Sequence, residues 1–324
     1  MKCKSQFFVK EYKRFVGLFI IILWGKCMGR ILLTGSNGFL GCNLAACLRK
    51  KYYIFGMGRN NETKSKVHSY LMEDITLDLS GLSGTLGETE YIIHVAADKS
   101  KEDFTDSLID INCKGSYYIA KLAKKIKCKK FIYISSIPVI GIPPKEDLRE
   151  DYFPVPNTMY HATKLAGEYI VQQLIKEGIN VIILRVPSPV GYGMELNTIF
   201  PIFMQKAILG ETIEIVGKGS RRQNYVDLRD LADAIEKCIE LDVESGCYHI
   251  AAEKNVSNLE LAEMCISCLH SSSEIEFINK SDALEGQEWN ISIEKARKCM
   301  QYAPKYDVEQ MIRYYGEKMR KGEV

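Results

Sequence analysis

The sequence predicts an α/β fold: a doubly wound parallel sheet carrying a smaller C-terminal α/β domain. Three observations predict it. Glycines at 35, 38 and 41 form a turn between a short apolar run, Ile31 to Leu33, and an apolar helical pattern through Phe39, Leu40, Leu44, Ala45 and Leu48. Strand-like and helix-like stretches then alternate as far as residue 186, which implies parallel strands wrapped by helices. Beyond 186 that rhythm stops, and prolines and glycines punctuate the chain at Pro187, Pro189, Gly191 and Gly193.

The turn is the best-defined element. Glycine allows backbone angles that a β-carbon forbids. It also lets the chain come close to a phosphate lying on the free N–H groups of a helix start. The spacing G-x-x-G-x-x-G, set between strand and helix, reads as a dinucleotide site. After the first helix, Tyr52 to Asn60 is a second strand running into a loop, and Ile75-Thr76-Leu77-Asp78-Leu79 alternates as a third strand would. Tyr91 to Ala97 is nearly all apolar, as a strand buried on both faces should be. Leu108, Ile111, Tyr118, Ile119 and Leu122 recur at helical spacing and predict a helix over 104–126. Phe131 to Ser136 is a fifth strand, residues 159–177 a helix, and Val181 to Leu184 a sixth strand. Residues 28–186 thus form a Rossmann-type cofactor domain. Residues 187–324 are mainly a substrate-binding domain over the carboxyl edge of the sheet, with about 225–250 returning to the first domain.

Composition is that of an ordinary globular protein: 324 residues, 46% hydrophobic and 26% charged. The net charge of +2 is uneven, because residues 1–27 hold six Lys/Arg against one Glu and leave the remainder slightly negative. That remainder has no electrostatic footprint for nucleic acid. Within 1–27, the apolar run Phe15 to Gly25 has 11 residues, short of the roughly 20 a membrane span needs. Trp24-Gly25-Lys26-Cys27 is a poor signal cleavage site. The reading adopted is that translation starts at Met28 and the extension is foreign; the alternative is a membrane-surface anchor. Eleven cysteines without paired spacing suit a reducing, cytoplasmic compartment. Cys265-x-x-Cys268 reads as two core-facing helix residues, and no metal site is expected.

The chemistry is carried by Tyr160 and Lys164, four apart on one helix face. A cation at that distance favours the phenolate and pulls a tyrosine toward working pH. Such a tyrosine can exchange a proton with a sugar-like hydroxyl while hydride moves to or from a nicotinamide. Tyr160 follows Ser136 by 24 residues, and Ser135-Ser136 end a sheet strand, where a serine can hydrogen-bond the same hydroxyl.

Together these pieces resemble an extended short-chain dehydrogenase/reductase of the NAD-dependent epimerase/dehydratase family, which acts on nucleotide sugars. The likeness runs from Met28 to the end. It rests on the Thr34–Gly41 turn, His94-Val95-Ala96-Ala97, Asn112 with Gly115, and Ser135-Ser136 with Val139 and Gly141. It continues through Tyr160, Lys164 and Glu168, Arg185 leading to Gly191, and Gly217-x-Gly219-x-Arg221-x-Gln223 running into Asp230. The resemblance implies Tyr160 as acid/base, Lys164 on the nicotinamide ribose and Ser136 orienting substrate. It implies NAD(P) held by Gly35, Asn37, Gly38, Phe39, Leu40, Gly41, Ala96, Ala97 and Asn112. It gives the adenine contact to Asp78-Leu79, with Asp74-Ile75 an equally shaped alternative. It also implies a nucleotide-sugar substrate and a homodimer through the helices at 104–126 and 159–177.

The departures matter. Val139-Ile140-Gly141 replaces the family's Val-Tyr-Gly, Ser188 replaces an asparagine, and Gln223 stands where an arginine often holds nucleotide phosphates. Arg221 or Arg222 must then serve. Where NAD-users carry an acid after the second strand, this chain has Gly58-Arg59-Asn60. An arginine there can pair with a 2′-phosphate, tilting the cofactor toward NADP. His94 reads as a packed strand-end residue, not a catalyst. The dehydratases' Asp-Glu pair after the catalytic Ser/Thr is Ile137-Pro138 here, and the decarboxylases' glutamate is absent. The expectation is therefore a 4-epimerase. The alternatives are an NADPH-dependent reductase of a keto-sugar nucleotide or other carbonyl, and a catalytically inactive cofactor-binding protein.

Overall fold

The computed structural model describes residues 29–100 and 102–322; the expectations for residues 1–27 lie outside the described residues. Seven strands form the central sheet: β1 (Arg30–Thr34), β2 (Tyr53–Gly58), β3 (Ser69–Met72), β4 (Tyr91–His94), β5 (Lys130–Ser136), β6 (Asn180–Val186) and β10 (Gly246–His249), in the order β10-β6-β5-β4-β1-β2-β3. Every pairing in it is parallel. Side chains alternate between two buried faces. Ile31, Leu33, Ile93, Ile132 and Leu184 pack on α1 (Phe39–Leu48). Leu32, Ile92, Phe131 and Ile183 pack on the opposite side.

That opposite face is covered by α2 and α3. Helix α2 is Ser116–Ile126, preceded by the helical turn Asp106–Ile109 and the π-helical segment Asp110–Gly115. Helix α3 is Met159–Gln172, capped by Thr158, whose hydroxyl accepts from His161 N. Gly167 lets α3 lie close on β5, since a β-carbon there would stand 2.2 Å from the Tyr133 hydroxyl oxygen.

The remaining elements stack beside the carboxyl edge. β7 (Ser188–Val190), β9 (Arg222–Asp227) and β11 (Asn255–Ser257) form one small sheet. β8 (Ile213–Val216) pairs with β12 (Ile275–Ile278). Between them lie α4 (Ile199–Leu209), α5 (Leu228–Glu240) and α6 (Asn258–Leu269), with α7 (Glu294–Met300) and α8 (Val308–Arg320) closing the chain. Helices α4, α6 and α8 share a core that includes Phe203, Leu261 and Met311, with Cys265 and Cys268 buried in it. Helix α5 instead packs on the main sheet against α1, through Leu231 and Ile235. Among the described residues no helix is long and apolar enough to cross a membrane.

One element is corrected. The third strand is Ser69–Met72, paired with β2 from Phe55 to Gly58, and not residues 75–79. The carboxylates of Asp74 and Asp78 accept from Thr76 N and Ser80 N, which curls that stretch into consecutive turns. Ile75 and Leu79 still bury in the same core, so the apolar spacing was real and its period was misread.

Candidate active site

The glycine turn is built by close approach. Gly35 sits at φ +65°, and a β-carbon on it would stand 2.8 Å from the Ala96 backbone. At Gly41 a β-carbon would stand 2.2 Å from the Gly35 carbonyl oxygen. Helix α1 starts at Gly38 with no side-chain cap, which leaves its first-turn N–H groups directed outward for an anion. These features fit a dinucleotide pyrophosphate.

The turn is fastened to β4 by a buried chain of hydrogen bonds. Thr34 Oγ1 accepts from Val95 N and Ala96 N, so its proton goes to His94 Nδ1 at 2.7 Å. Ser116 Oγ donates to Asn112 O at 2.6 Å and stands 3.1 Å from His94 Nε2, from which it accepts. His94 is thus a neutral Nε2–H imidazole, and burial pushes its pKa down to about 3. It is a packed strand-end residue, as the sequence predicts.

A cleft of about 660 Å³ runs along the carboxyl edge from this turn to α4. Gly35, Asn37, Gly38, Phe39 and Leu40 line one end with Arg59; Ala96 and Ala97 line the middle. Ser136, Tyr160, Lys164 and Ser188 also line it, so the proposed reaction centre and the glycine turn share one cavity. The Asn37 side chain additionally binds the loop after β2, donating to Glu62 O and Tyr70 Oη and accepting from Lys64 N.

Several expected contacts fall elsewhere. Asp78 is exposed and pairs with Lys121 at 3.2 Å, and Leu79 is buried in the core. The turns at 74–80 carry both away from the cleft, and Asp74-Ile75, the alternative pair, lines it instead. Gly41 packs beneath the turn rather than facing the cavity. Asn112 is buried, donating to Asp98 O and Thr163 Oγ1 and accepting from Asp98 N. It ties the loop after β4 to α3 and does not line the cleft. Arg222 is engaged by Glu260, Glu288 and Asn255 O. Arg221 lines a neighbouring cavity of about 310 Å³ between α4, β8 and residues 281–283. Gln223 lines the main cleft, bonded to Asn258.

The electrostatics of Tyr160 also differ from expectation. Burial and the nearby Asp98 carboxylate push its pKa up to about 12, so in this arrangement it is a phenol. Lys164 Nζ does not turn to the phenol oxygen. It donates to Ile134 O at 2.7 Å and lies 4.2 Å from the Tyr133 ring centre. Burial pulls it down to about 7, opposed by Glu168. As a phenol Tyr160 can hand a proton to a carbonyl oxygen placed against Ser136 as that carbonyl is reduced, whereas taking one from a hydroxyl there requires its phenolate.

The sequence did not single out Lys99 and Glu195, which line the cleft and pair at 2.8 Å from opposite sides, nor Asn197 and Thr198 beside them. They sit on segments without periodicity, and one sequence holds no signal that would have placed them. Glu73, next to Asp74, was equally silent.

Residues 31–251 match the model of the NAD dependent epimerase/dehydratase family. An uncharacterised protein, y4nG, of Sinorhizobium fredii is 27% identical over 315 residues, covering 88% of this chain and 78% of that one. A UDP-glucose 4-epimerase from Thermotoga maritima, solved with UDP-glucose, has the same fold, with TM-score 0.81 at 20% identity over 90% of this chain and 99% of its own. So has a UDP-glucuronic acid 4-epimerase of Bacillus cereus, solved with UDP-glucuronic acid and NAD, with TM-score 0.77 at 22% identity over 90% and 99%. With more than half of the chain matched, and a glycine cradle, a Ser-Tyr-Lys cluster and a seven-stranded parallel sheet that agree with the match, this protein is an enzyme of the NAD-dependent epimerase/dehydratase family, of the extended short-chain dehydrogenase/reductase type.

Proposed function

We propose that the protein interconverts C4 epimers of a nucleotide-activated sugar. The observation that carries this reading is the apolar stretch directly after Ser136. Residues Ile137–Ile140 form a short 3-10 turn with Ile137, Val139 and Ile140 buried, where a dehydratase would present an acid and a base. Neither elimination of water nor decarboxylation has a group to move its proton there.

Gly35, Gly38, Phe39 and Leu40 would hold the pyrophosphate of the dinucleotide, and Asp74-Ile75 the adenine. Lys164 would meet the nicotinamide ribose. When bound, the cofactor supplies an acceptor for hydride that returns it within the same turnover. Ser136 orients the C4 hydroxyl, and Tyr160, once ionised to its phenolate, takes its proton as the carbonyl forms. Tyr160 then returns the proton as C4 is reduced from the other face. Arg221 anchors the nucleotide end, replacing the arginine absent at Gln223. The part of the chain after 186 serves as the substrate domain.

Arg59, which lines the cleft, favours NADP over NAD. That supports a second reading, an NADPH-dependent reductase of a keto-sugar nucleotide. Incubation with UDP-sugars and without added reductant separates the two. Catalytic conversion to the 4-epimer supports the first; stoichiometric NADPH consumption on a keto-sugar without isomerisation refutes it. Titrations with NADH and NADPH test Arg59, since equal affinities would remove its assigned role. We further infer a cytoplasmic homodimer through α2 and α3, which leave Tyr117 and Tyr169 exposed. A monomer by light scattering at micromolar concentration would count against it.

A further inference from the structure

One wall of the cleft is a segment that the proposed mechanism does not use. Residues 191–198 join β7 to α4, and Met194, Glu195, Asn197 and Thr198 line the cavity. The base of this segment is fixed to α1. Asn43 donates through Nδ2 to Tyr192 O at 2.7 Å and accepts from Tyr192 N at 2.9 Å. A β-carbon on Gly191 would stand 2.9 Å from Asn43 Oδ1, so glycine lets the two chains meet there. Gly193 (φ +75°), where a β-carbon would meet nothing within 4 Å, gives the segment its bend. Met194 then buries in the core shared by α4 and α6.

The next residue joins this wall to the opposite one. Glu195 Oε1 accepts from Lys99 Nζ at 2.8 Å, and Lys99 stands on the loop after β4. Glu195 Oε2 accepts from Asn197 Nδ2 at 2.7 Å, which aims the carboxylate from its own segment. Lys99 follows Ala96 and Ala97, the residues that line the middle of the cleft between the glycine turn and Ser136. A dinucleotide reaching from that turn to Tyr160 therefore passes the point where the two walls are joined. Both side chains are more than half exposed, at 61% and 52%, so the pair sits at the solvent side of the cavity.

We propose that Lys99 and Glu195 form a latch across the cleft, which slows the escape of a bound dinucleotide. An exposed ion pair is weak, because water screens it and both side chains lose rotamer freedom. A latch of that strength opens readily, which a cofactor cleft requires, and it alters residence time by a small factor. Such a change falls mainly on the dissociation rate. The pair acts by joining two walls, so neither partner serves without the other. The latch stands whichever of the two proposed reactions the protein runs.

The inference rests on the dinucleotide lying in this cleft, and its test keeps the two apart. Release of NADPH, and of NADH in parallel, is followed by stopped-flow fluorescence of the full chain, with excess oxidised cofactor as the displacer. Lys99→Met and Glu195→Gln should each speed release by about two- to fivefold, the strength of an exposed pair. The double variant should be no faster than the faster single one, since the pair is already broken. Raising salt from about 0.05 to 1 M should speed release more from the natural protein than from the double variant. Single variants that release within about 1.5-fold of the natural rate, or effects that multiply in the double variant, would overturn the latch. Faster release in Lys99→Met with slower release in Glu195→Gln would also overturn it, and would make Lys99 a direct contact of the cofactor phosphates. Failure of the natural protein to bind either dinucleotide would sink the cleft assignment itself, and the latch with it.

Discussion

Two glycines with similar positive φ offer a direct measure of the close approach that builds the cofactor turn. Gly35 (φ +65°) and Gly178 (φ +77°) both occupy the left-handed region, but an added β-carbon meets the Ala96 backbone at 2.8 Å in the first and nothing within 4 Å in the second. An L-residue in that region costs about 1–2 kcal/mol. Alanine regains about 0.4–1 kcal/mol by restricting the unfolded chain. Gly178→Ala should therefore destabilise by about 0–1.5 kcal/mol. Gly35→Ala carries the same terms plus overpacking of about 1–3 kcal/mol, because its neighbour is backbone and cannot swing aside. The expected total is about 1–4.5 kcal/mol. Urea titration of both variants without cofactor reads the difference. An NADH titration reads the function, with Gly178→Ala unchanged and Gly35→Ala weakened by about tenfold or more, since 1.4 kcal/mol is a factor of ten. If the two variants were equally stable to within about 0.5 kcal/mol, the spread of an ordinary surface change, the packing argument for the turn would fail.

Tyr160→Phe should lower turnover by about 10²-fold or more, the usual loss with a general acid/base, and leave NADH affinity unchanged; comparable turnover would remove Tyr160 from its role. Arg221→Ala should raise KM for a UDP-sugar by about 10-fold or more, as the loss of a charged hydrogen bond does. Arg222→Ala, whose partners are Glu260 and Glu288, should leave KM nearly unchanged; the reverse ranking in steady-state kinetics would exchange their assignments. His94 and His249 are buried, and burial lowers both pKa values to about 3. The unfolded chain binds their protons below about pH 6.5 while the folded chain does not, so they make stability fall as pH drops from about 6.5 toward 3. Thermal melts across that range check the slope, and a melting temperature flat from pH 6.5 to 4 would contradict it.

The parts legible in the sequence are those whose chemistry is written in local spacing. The glycine turn needs strand, glycines and helix in fixed succession. Tyr160 and Lys164 need only one helical turn between them. One failure was local and the others depended on contacts distant in sequence. At 75–79 the apolar alternation outweighed a local signal, since Asp74 and Asp78 each curl the chain by accepting from the N–H two residues on. The same turns carry Asp78-Leu79 away from the cleft and leave Asp74-Ile75 lining it. Asn112 stands one residue after Ile111, which does line the cleft. A π-helical register in that segment and a bond to Thr163 turn Asn112 inward. Arg221 and Arg222 are adjacent, and Glu260 and Glu288, arriving from elsewhere in the chain, engage Arg222 while Arg221 lines the smaller cavity. The effect of Lys164 on Tyr160 was misjudged because spacing gives proximity but not burial, and burial dominates both ionisations.

The arrangement also bears on which reaction such a cleft suits. Epimerisation through a carbonyl requires the reduced and oxidised faces of C4 to exchange places before hydride returns. The sugar must therefore turn while its activated end stays anchored. The main cleft, about 660 Å³, and the neighbouring cavity, about 310 Å³, share Ile199 in their walls and so adjoin. The smaller one carries Arg221, the residue we assign to the phosphate-bearing end. At the other end Ser136 and Tyr160 line the cleft, and the turn after Ser136 begins with the apolar Ile137-Pro138. A dehydratase needs acid and base fixed against the sugar there, and a reductase needs only one face presented. A charged hold at one end and a turn after Ser136 without acid or base at the other suit a substrate that turns, and on that ground we favour epimerisation over elimination.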